Sequence, residues 1–281
     1  MNLLSKLTGP WPYPTSDGIP VEVDDLHGIW TRSLISWHGG PDDTTTTVTW
    51  LQSDGWYADL RQPAGRPDFD GVTCLRDLRA EHLEWMFAQE GFAGSLTRSP
   101  VTPARFTWGR LVDWAPAEGV ADTGTLHFEN AMMVERGIEL PYLEHWHHVD
   151  GTDRGPRAVV TLRDAESGAR AILLRTGAKF AFARSRTEEI SALPTPDEVP
   201  RLDLSAAQDL ADCEIAIGSI SPTGWHIDIS SLPFRQGHSF VATDAGDELH
   251  ILDLEPARPR PRPIRWRIES LVGAFADLLT E

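Results

Sequence analysis

Apolar and polar residues alternate along most of the chain. The segment WTRSLISW (30–37) places Trp30, Arg32, Leu34 and Ser36 on one face and the intervening residues on the other. A period of two is typical of a β-strand. The turn at 53–55 (Ser-Asp-Gly) joins TTTTVTWL to WYADLR, and Asp-Gly favours a tight hairpin. The same pattern predicts about 15 short strands, with turns after about 8 to 12 residues.

Two segments have helical spacing instead. From Val72 to Ala88 an apolar stripe predicts a helix that could cover a barrel mouth. A second stripe, from Ile268 to Leu279, predicts a C-terminal helix docked on the core. Before it, RPRPRP (258–263) indicates an extended polyproline connector.

We therefore expect a mainly β protein, with two antiparallel β-barrels, a covering helix and a C-terminal helix. The polar segment 150–156 leaves about eight strands on each side, enough to close two small barrels. The predicted domains are 1–150 and 151–281. A boundary within 187–200 is the alternative, giving a ten-stranded barrel with a short appendage.

Composition limits the possible partners. The 281 residues are 41% hydrophobic and lack the run of roughly 20 apolar residues that crosses a bilayer. With 25 Lys and Arg against 42 Asp and Glu, the net charge is −17. This charge disfavours nucleic acid and anionic lipid, so we expect no nucleic-acid partner, no membrane and a small neutral or cationic ligand. The 11 Trp residues indicate either large cores or an aromatic-lined cavity.

The cysteines and the start of the chain indicate the compartment. Cys74 and Cys213 are far apart and form no CxxC or Cys/His motif, which favours two small buried side chains. The segment Met1 to Leu7 has no long apolar stretch, so no signal peptide is predicted. We expect a cytoplasmic protein.

Several segments together resemble a known family. GIWTRSLISW, the Thr-rich strand, YADLRQP, QEGFAG, FTWGRLVDW and YLEHW, with CEIAIGSI and GWHIDISSLPFRQG in the second half, are similar to a two-barrel, lipocalin-like (calycin-like) family. It includes a fungal casein-kinase-interacting protein and bacterial relatives. The resemblance implies two lipocalin-like barrels and no agreed chemistry. The lack of a secretory signal and of paired cysteines departs from a typical lipocalin and argues against extracellular transport.

The first candidate site lies on YADLR. Tyr57, Asp59 and Arg61 share one face of this strand. If that face points inward, Asp59 and Arg61 form a buried pair that braces the barrel or orients a polar ligand, because buried charges persist only when paired. An exposed face with a structural pair is the alternative.

The second candidate lies on YLEHWHH. Tyr142, Glu144, Trp146 and His148 share a face that suits a hydrogen-bonding or acid–base wall, and we favour this face. The opposite face carries His145 and His147, which could bind a metal with His127 or Glu129, but we favour solvated surface histidines. We predict no metal site, and Glu129 is kept as a ligand-binding candidate.

Tryptophans beside charged residues suggest a polar aromatic cavity. Trp108 shares a face with Arg110, and Trp50 lies on the Thr-rich strand. Core packing alone is the alternative. Residues His226, Asp228 and Ser230 are too far apart on one strand, at roughly 6 to 7 Å per step, for a catalytic triad. Because nucleotide-binding motifs are absent from the sequence, we predict no cofactor.

Three functions remain open. The leading hypothesis is a lipocalin-like protein that binds a small aromatic or hydrophobic molecule in the N-terminal barrel. The second is a cofactor-independent isomerase, lyase or hydrolase, with Glu144 or His148 as general base and Arg61 or Arg110 stabilising an anion. The third is a protein-interaction scaffold with filled barrels. The ligand-binding candidates are Trp50, Tyr57, Asp59, Trp108, Glu129, Tyr142 and Trp146. An open cavity would support the first two hypotheses, and a cavity filled by Trp would support the scaffold.

Overall fold

A computed structural model describes residues 19–116 and 119–279. The strands are β1 Ile19–Pro20, β2 Gly28–Trp37, β3 Thr47–Ser53, β4 Trp56–Gln62, β5 Glu90–Arg98, β6 Phe106–Asp113, β7 Thr123–Glu129, β8 Met132–Gly137, β9 Tyr142–His148, β10 Arg157–Asp164, β11 Arg170–Thr176, β12 Lys179–Arg184, β13 Glu214–Ser221, β14 Gly224–Ser230, β15 Ser239–Phe240, β16 Ala242–Asp244, β17 Glu248–Leu254 and β18 Pro261–Gly273. The α-helices are α1 Ala80–Phe87, α2 Leu204–Leu210 and α3 Phe275–Leu279. Short 3-10 helices lie at Val23–Leu26, Leu75–Asp77, Pro196–Arg201 and Pro233–Arg235. Met1 to Leu7, on which the signal-peptide prediction rests, lies outside the described residues.

The first barrel is an antiparallel meander from β2 to β9. Each strand pairs with the next one in the chain, and β9 pairs back onto β2. The β7–β8 pairing completes the ring, and β1 adds two residues to the edge of β7. Alternate side chains therefore point into the barrel, as the period of two predicts.

The second barrel closes through a strand that is bent in the middle. β15 pairs with β14 and β16 pairs with β17, so the segment 239–244 joins the two sides of the sheet. Val241 lies at the bend, where its carbonyl accepts a hydrogen bond from Leu252 N at 2.9 Å. β18, the last strand of the chain, pairs with β10, the first strand of this barrel. The expected mainly β fold with two antiparallel barrels is confirmed.

The change from one sheet to the other falls between His148 and Arg157. The alternative boundary within 187–200 would separate β12 from β13, which pair along the whole of β12. The division of the chain into two domains, 1–150 and 151–281, stays a prediction.

The two barrels share an apolar cluster between their outer faces. Leu51 and Leu60 contribute from the first barrel, and Ile172 and Ile215 from the second. Gly91 allows a close approach here, because a Cβ at this position would lie 2.8 Å from Ile215 Cδ1. Helix α1 packs into the same cluster. It begins later than the predicted Val72, since Leu75–Asp77 form a separate 3-10 turn.

The C-terminal helix is present but shorter than predicted. Ile268, Leu271 and Val272 lie in β18, where they pair with Leu162, Val160 and Val159 of β10. The expectation of a polyproline connector is wrong for its last part, because β18 begins at Pro261 and pairs with β17. Backbone pairing with β10 outweighs the helical spacing of these side chains. No helix in the described part of the chain is long and apolar enough to cross a membrane.

Candidate functional site

One end of the first barrel is closed by the 3-10 helix Val23–Leu26. Trp30 Nε1 donates a hydrogen bond to the carbonyl of Leu26 at 2.8 Å. Gly28 has a φ of 105°, and a Cβ there would lie 2.7 Å from His148 Nε2. The Gly-x-Trp sequence thus shapes this closed end, and His148 lies there, with its ring 5.0 Å from that of Trp30.

The middle of the barrel is filled by an indole cluster, which we define as Trp50, Trp108 and Trp146. The ring of Trp50 lies 6.2 Å from that of Trp108 at 70°, and 5.3 Å from that of Trp146 at 78°. The space left beside these rings is about 10 Å³. One water molecule needs about 10–15 Å³, whereas ligand pockets measure about 300–1,000 Å³. The space beside the indole cluster is therefore smaller than an aromatic ligand needs.

Charged side chains fill the opposite end, which we call the polar end. The face of Tyr57, Asp59 and Arg61 points inward, and Arg61 Nε donates to Asp59 Oδ1 at 3.0 Å. Arg61 Nη1 also donates to Glu144 Oε1 at 3.4 Å. Burial opposes the charge on Arg61, but the carboxylates of Asp59 and Glu144 raise its pKa well above the ordinary value. Burial raises the pKa of Asp59, and Arg61 limits the rise.

Two further residues complete the polar end, and the sequence analysis did not select them. Arg32 Nη1 donates to Glu144 Oε1 at 2.5 Å. Glu135 accepts from Tyr142 OH at 2.8 Å and from Trp146 Nε1 at 3.1 Å. Burial, and then the Glu144 carboxylate, raise the pKa of Glu135 well above its ordinary value. The sequence could have identified Arg32, because this residue shares a face of β2 with Trp30.

Glu135 could have been found from the strand break near Asn130. This residue has a φ of 58° and lies between β7 and β8. A hairpin there makes β8 a separate strand, on which Met133 and Glu135 alternate with Val134. Because Met133 is buried in the same cluster as Trp146, its face is the inner one.

Arg110 lies at the rim of the polar end. Its guanidinium group donates to Asp113 Oδ2 at 2.9 Å and to Asp122 Oδ2 at 3.1 Å. The same group lies 4.1 Å from the centre of the Phe92 ring. Burial opposes its charge, but Asp113 and then Asp122 raise the pKa of Arg110. Arg110 is thus held by ion pairs beside the cavity.

Other predicted site residues lie elsewhere. His148 and Glu144 are four positions apart on β9, about 13 Å along a strand, so they do not share one site. Glu129 lies at the closed end, with Oε1 3.0 Å from His127 Nε2. Tyr57 points inward and its OH donates to Gly109 O at 3.3 Å.

The second histidine face of β9 points away from the barrel interior. His147 Nε2 lies 2.8 Å from Ser33 Oγ, and burial lowers the pKa of His145. Within residues 19–116 and 119–279, no three His, Cys, Asp or Glu side chains are grouped so that they could hold a metal ion. The two cysteines are both buried, and burial raises the pKa of Cys213 to about 11.

Comparison with known proteins supports the fold. No protein-family model matches the chain. No curated protein sequence matches it either. The crystal structure of an uncharacterized protein from Saccharomyces cerevisiae, YLR301w, aligns with a TM-score of 0.50 and 10% identity, over 88% of this chain and 100% of that chain. This likeness shows the fold alone.

Proposed function

We propose that this protein is a non-catalytic interaction module whose first barrel is filled by its own side chains. The observation that carries the proposal is the volume of about 10 Å³ left beside the indole cluster. A carrier of aromatic or apolar molecules would have to displace at least one indole ring, with loss of its packing. The leading hypothesis from the sequence is therefore less well supported than the scaffold.

The arrangement of charged groups also favours binding over catalysis. Glu144 is held by Arg32 and Arg61, and His148 lies at the other end of the barrel. A general base needs hydrogen-bond reach to a substrate proton, and a substrate needs space beside it. The cavity provides space for about one water molecule.

The polar end also carries an aromatic pair, of which Trp37 is the exposed member. Trp37 is 40% exposed, and its ring centre lies 5.5 Å from that of Tyr142. The hydroxyl of Tyr142 is fixed by Glu135 inside the barrel. Exposed Trp and Tyr side chains on a rigid support are the residue types that contribute most to protein interfaces. This pair supports the interaction module and gives its partner a place to bind.

The first experiment tests whether the barrel carries a ligand. A panel of indoles, phenols and fatty acids is titrated into the wild type and into Trp108→Ala, with Trp fluorescence and saturation-transfer NMR as readouts. We expect no binding to the wild type and binding of small aromatic compounds to Trp108→Ala, because the variant opens a cavity. Saturable binding of any such compound to the wild-type barrel would overturn the proposal.

The second experiment tests the interaction surface. A photo-crosslinking amino acid replaces Trp37 in one variant and Val101 in another, inside cells. Val101 is also exposed, but it follows β5 at the closed end of the barrel. We expect a discrete crosslinked product from position 37 that position 101 does not give. Equal labelling from both positions, or none from position 37, would contradict a partner at the polar end.

A further inference from the structure

The polar end of the first barrel contains more acidic than basic groups. Asp59, Glu135 and Glu144 are buried there, together with the guanidinium groups of Arg32 and Arg61. At the rim, Arg110 faces two more acids, Asp113 and Asp122. These residues therefore leave an excess of carboxyl groups in a partly enclosed space.

One carboxylate oxygen in this group is buried and unpaired. Glu144 Oε1 accepts from both Arg32 and Arg61, but Glu144 Oε2 has no hydrogen-bond partner among the described residues. Glu144 lies between Glu135, its partner across the β8–β9 pair, and Arg61, and both of these line the cavity. A buried acceptor without a donor costs about 1–3 kcal/mol, so a donor is expected there.

The second barrel contains a matched version of the same arrangement. Arg184 lies on the inward face of β12. Its Nε is 3.8 Å from Glu214 Oε2 and 2.8 Å from Asp253 Oδ2. Arg235, from the 3-10 helix Pro233–Arg235, enters from outside β12, β13 and β17 and donates to Glu214 Oε1 at 3.1 Å. Two guanidinium groups thus face two buried carboxylates.

The two charged ends are neighbours in the molecule. Gln62 ends β4 at the polar end, and its Nε2 donates to Ser230 O at 3.3 Å. Ser230 Oγ in turn donates to Glu214 Oε1 at 3.4 Å. Each charged end contains two guanidinium groups, but the polar end of the first barrel has a third buried carboxyl group, that of Glu135.

We propose that the polar end of the first barrel binds a primary ammonium group, held by Glu144 and Glu135 against the indole cluster. This inference rests on the proposed function and names the chemistry of the partner. The group is either a small free amine or the side chain of a partner's lysine. Three indole rings at steep mutual angles suit a cation, because the face of an indole ring carries negative charge.

The size of the cavity selects the kind of cation. A space of about 10 Å³ accepts a species of about the size of water, such as an ammonium head. A guanidinium or a quaternary ammonium group is too large. A divalent metal ion such as Ca²⁺ would need about six to eight oxygen ligands, whereas Trp and Phe rings form much of this wall. Arg61 and Asp122 line the cavity and are 17% and 22% exposed, so the site is accessible from solvent.

Binding is tested by titration with methylammonium chloride. Trp fluorescence and isothermal titration calorimetry are recorded, with sodium chloride and tetramethylammonium chloride at equal ionic strength as references. We expect a saturable response to methylammonium that neither reference salt gives. An identical response to all three salts would show an ionic-strength effect only, and it would overturn the proposal.

Variants locate the site. Glu144→Gln removes the unpaired carboxylate oxygen, and Glu135→Gln is a second variant in case the first does not fold. Glu139→Gln is the matched control, because it makes the same substitution at an exposed position in the loop between β8 and β9. We expect Glu144→Gln or Glu135→Gln to weaken methylammonium binding at least tenfold and Glu139→Gln to leave it unchanged. Equal affinity in all the folded variants would contradict the site.

The source of the amine is decided by a third titration, with Nα-acetyl-lysine methylamide. Binding of this compound indicates a partner's lysine, whereas binding of methylammonium alone indicates a free amine. If neither binds and the wild type still excludes aromatic compounds, the ammonium site is wrong while the proposed interaction module stands.

Discussion

Glu135 and Glu144 are directly opposite each other in the β8–β9 pair, and both carboxyl groups point into the first barrel. Like charges in this position repel each other, and burial increases the cost. The two groups differ in their donors: two guanidinium groups contact Glu144, whereas Glu135 accepts from a phenol and an indole. The pKa of Glu135 is raised for this reason, first by burial and then by Glu144. Glu135 thus takes up a proton more readily than an ordinary glutamate.

This difference predicts how stability depends on pH. Because the pKa of Glu135 is higher in the folded protein than the ordinary 4.5, the folded state retains a proton that the unfolded state loses. The stabilisation is complete below the unfolded pKa and disappears as pH rises through the folded pKa. We therefore expect the free energy of unfolding to fall as pH rises above about 4.5, and to fall more steeply in the wild type than in Glu135→Gln.

Urea unfolding at a series of pH values measures this difference. Glu139→Gln serves as the control and should follow the wild-type curve, because its side chain is exposed. Parallel curves for the wild type and Glu135→Gln would show that Glu135 does not bind the proton.

The indole cluster predicts a large difference between two Trp substitutions. Trp50 is buried and contacts both other members of the cluster, whereas Trp37 is 40% exposed. Truncation of a buried Trp to Ala costs about 3–5 kcal/mol, because it leaves a cavity. We expect a loss of this size for Trp50→Ala in urea unfolding, and a loss below about 1 kcal/mol for Trp37→Ala. Similar losses for both variants would mean that the cluster does not stabilise the barrel.

The sequence was sufficient to predict most of the strands, because a period of two is visible where one face of a sheet is buried. It also placed Tyr57, Asp59 and Arg61 on a common face, and the structure shows that this face points inward. At residues 268–272 the helical spacing of apolar residues led to a wrong prediction of a helix. Pairing of this segment with β10 outweighs the helical spacing and leaves Leu271 and Val272 exposed on the strand.

Contacts across strands could not be predicted. Glu144 and His148 share a face of β9, but the barrel is long enough to place them at opposite ends. The register of β8 against β9, which brings Glu135 opposite Glu144, depends on the connection at 138–141, and no repeat in the sequence specifies it. The size of the cavity depends on the rotamers of three Trp side chains, and no pattern in one sequence specifies these.

Contact between the barrels predicts that two substitutions, one in each barrel, have coupled effects on stability. A Cβ on Gly91 would lie 2.8 Å from Ile215 Cδ1 and 3.2 Å from Asp59 O. Gly91→Ala should therefore destabilise the protein by about 1–3 kcal/mol through overpacking. Ile215→Val removes the Cδ1 atom and costs about 0.5–1.5 kcal/mol alone. In the double variant we expect less than the sum, measured by a double-mutant cycle in urea. Strict additivity would place the two residues out of contact.

The buried ion pairs of the second barrel predict that a second substitution restores part of the stability lost through a first one. Arg235→Met leaves Glu214 buried with one donor fewer, and breaking such a pair costs about 3–5 kcal/mol. Glu214→Gln in the same chain removes the uncompensated charge, so the double variant should be more stable than Arg235→Met alone. Thermal unfolding of the wild type, both single variants and the double variant measures the coupling. A double variant less stable than both single variants would mean that Glu214 is stabilised by Arg184 and Ser230 without Arg235.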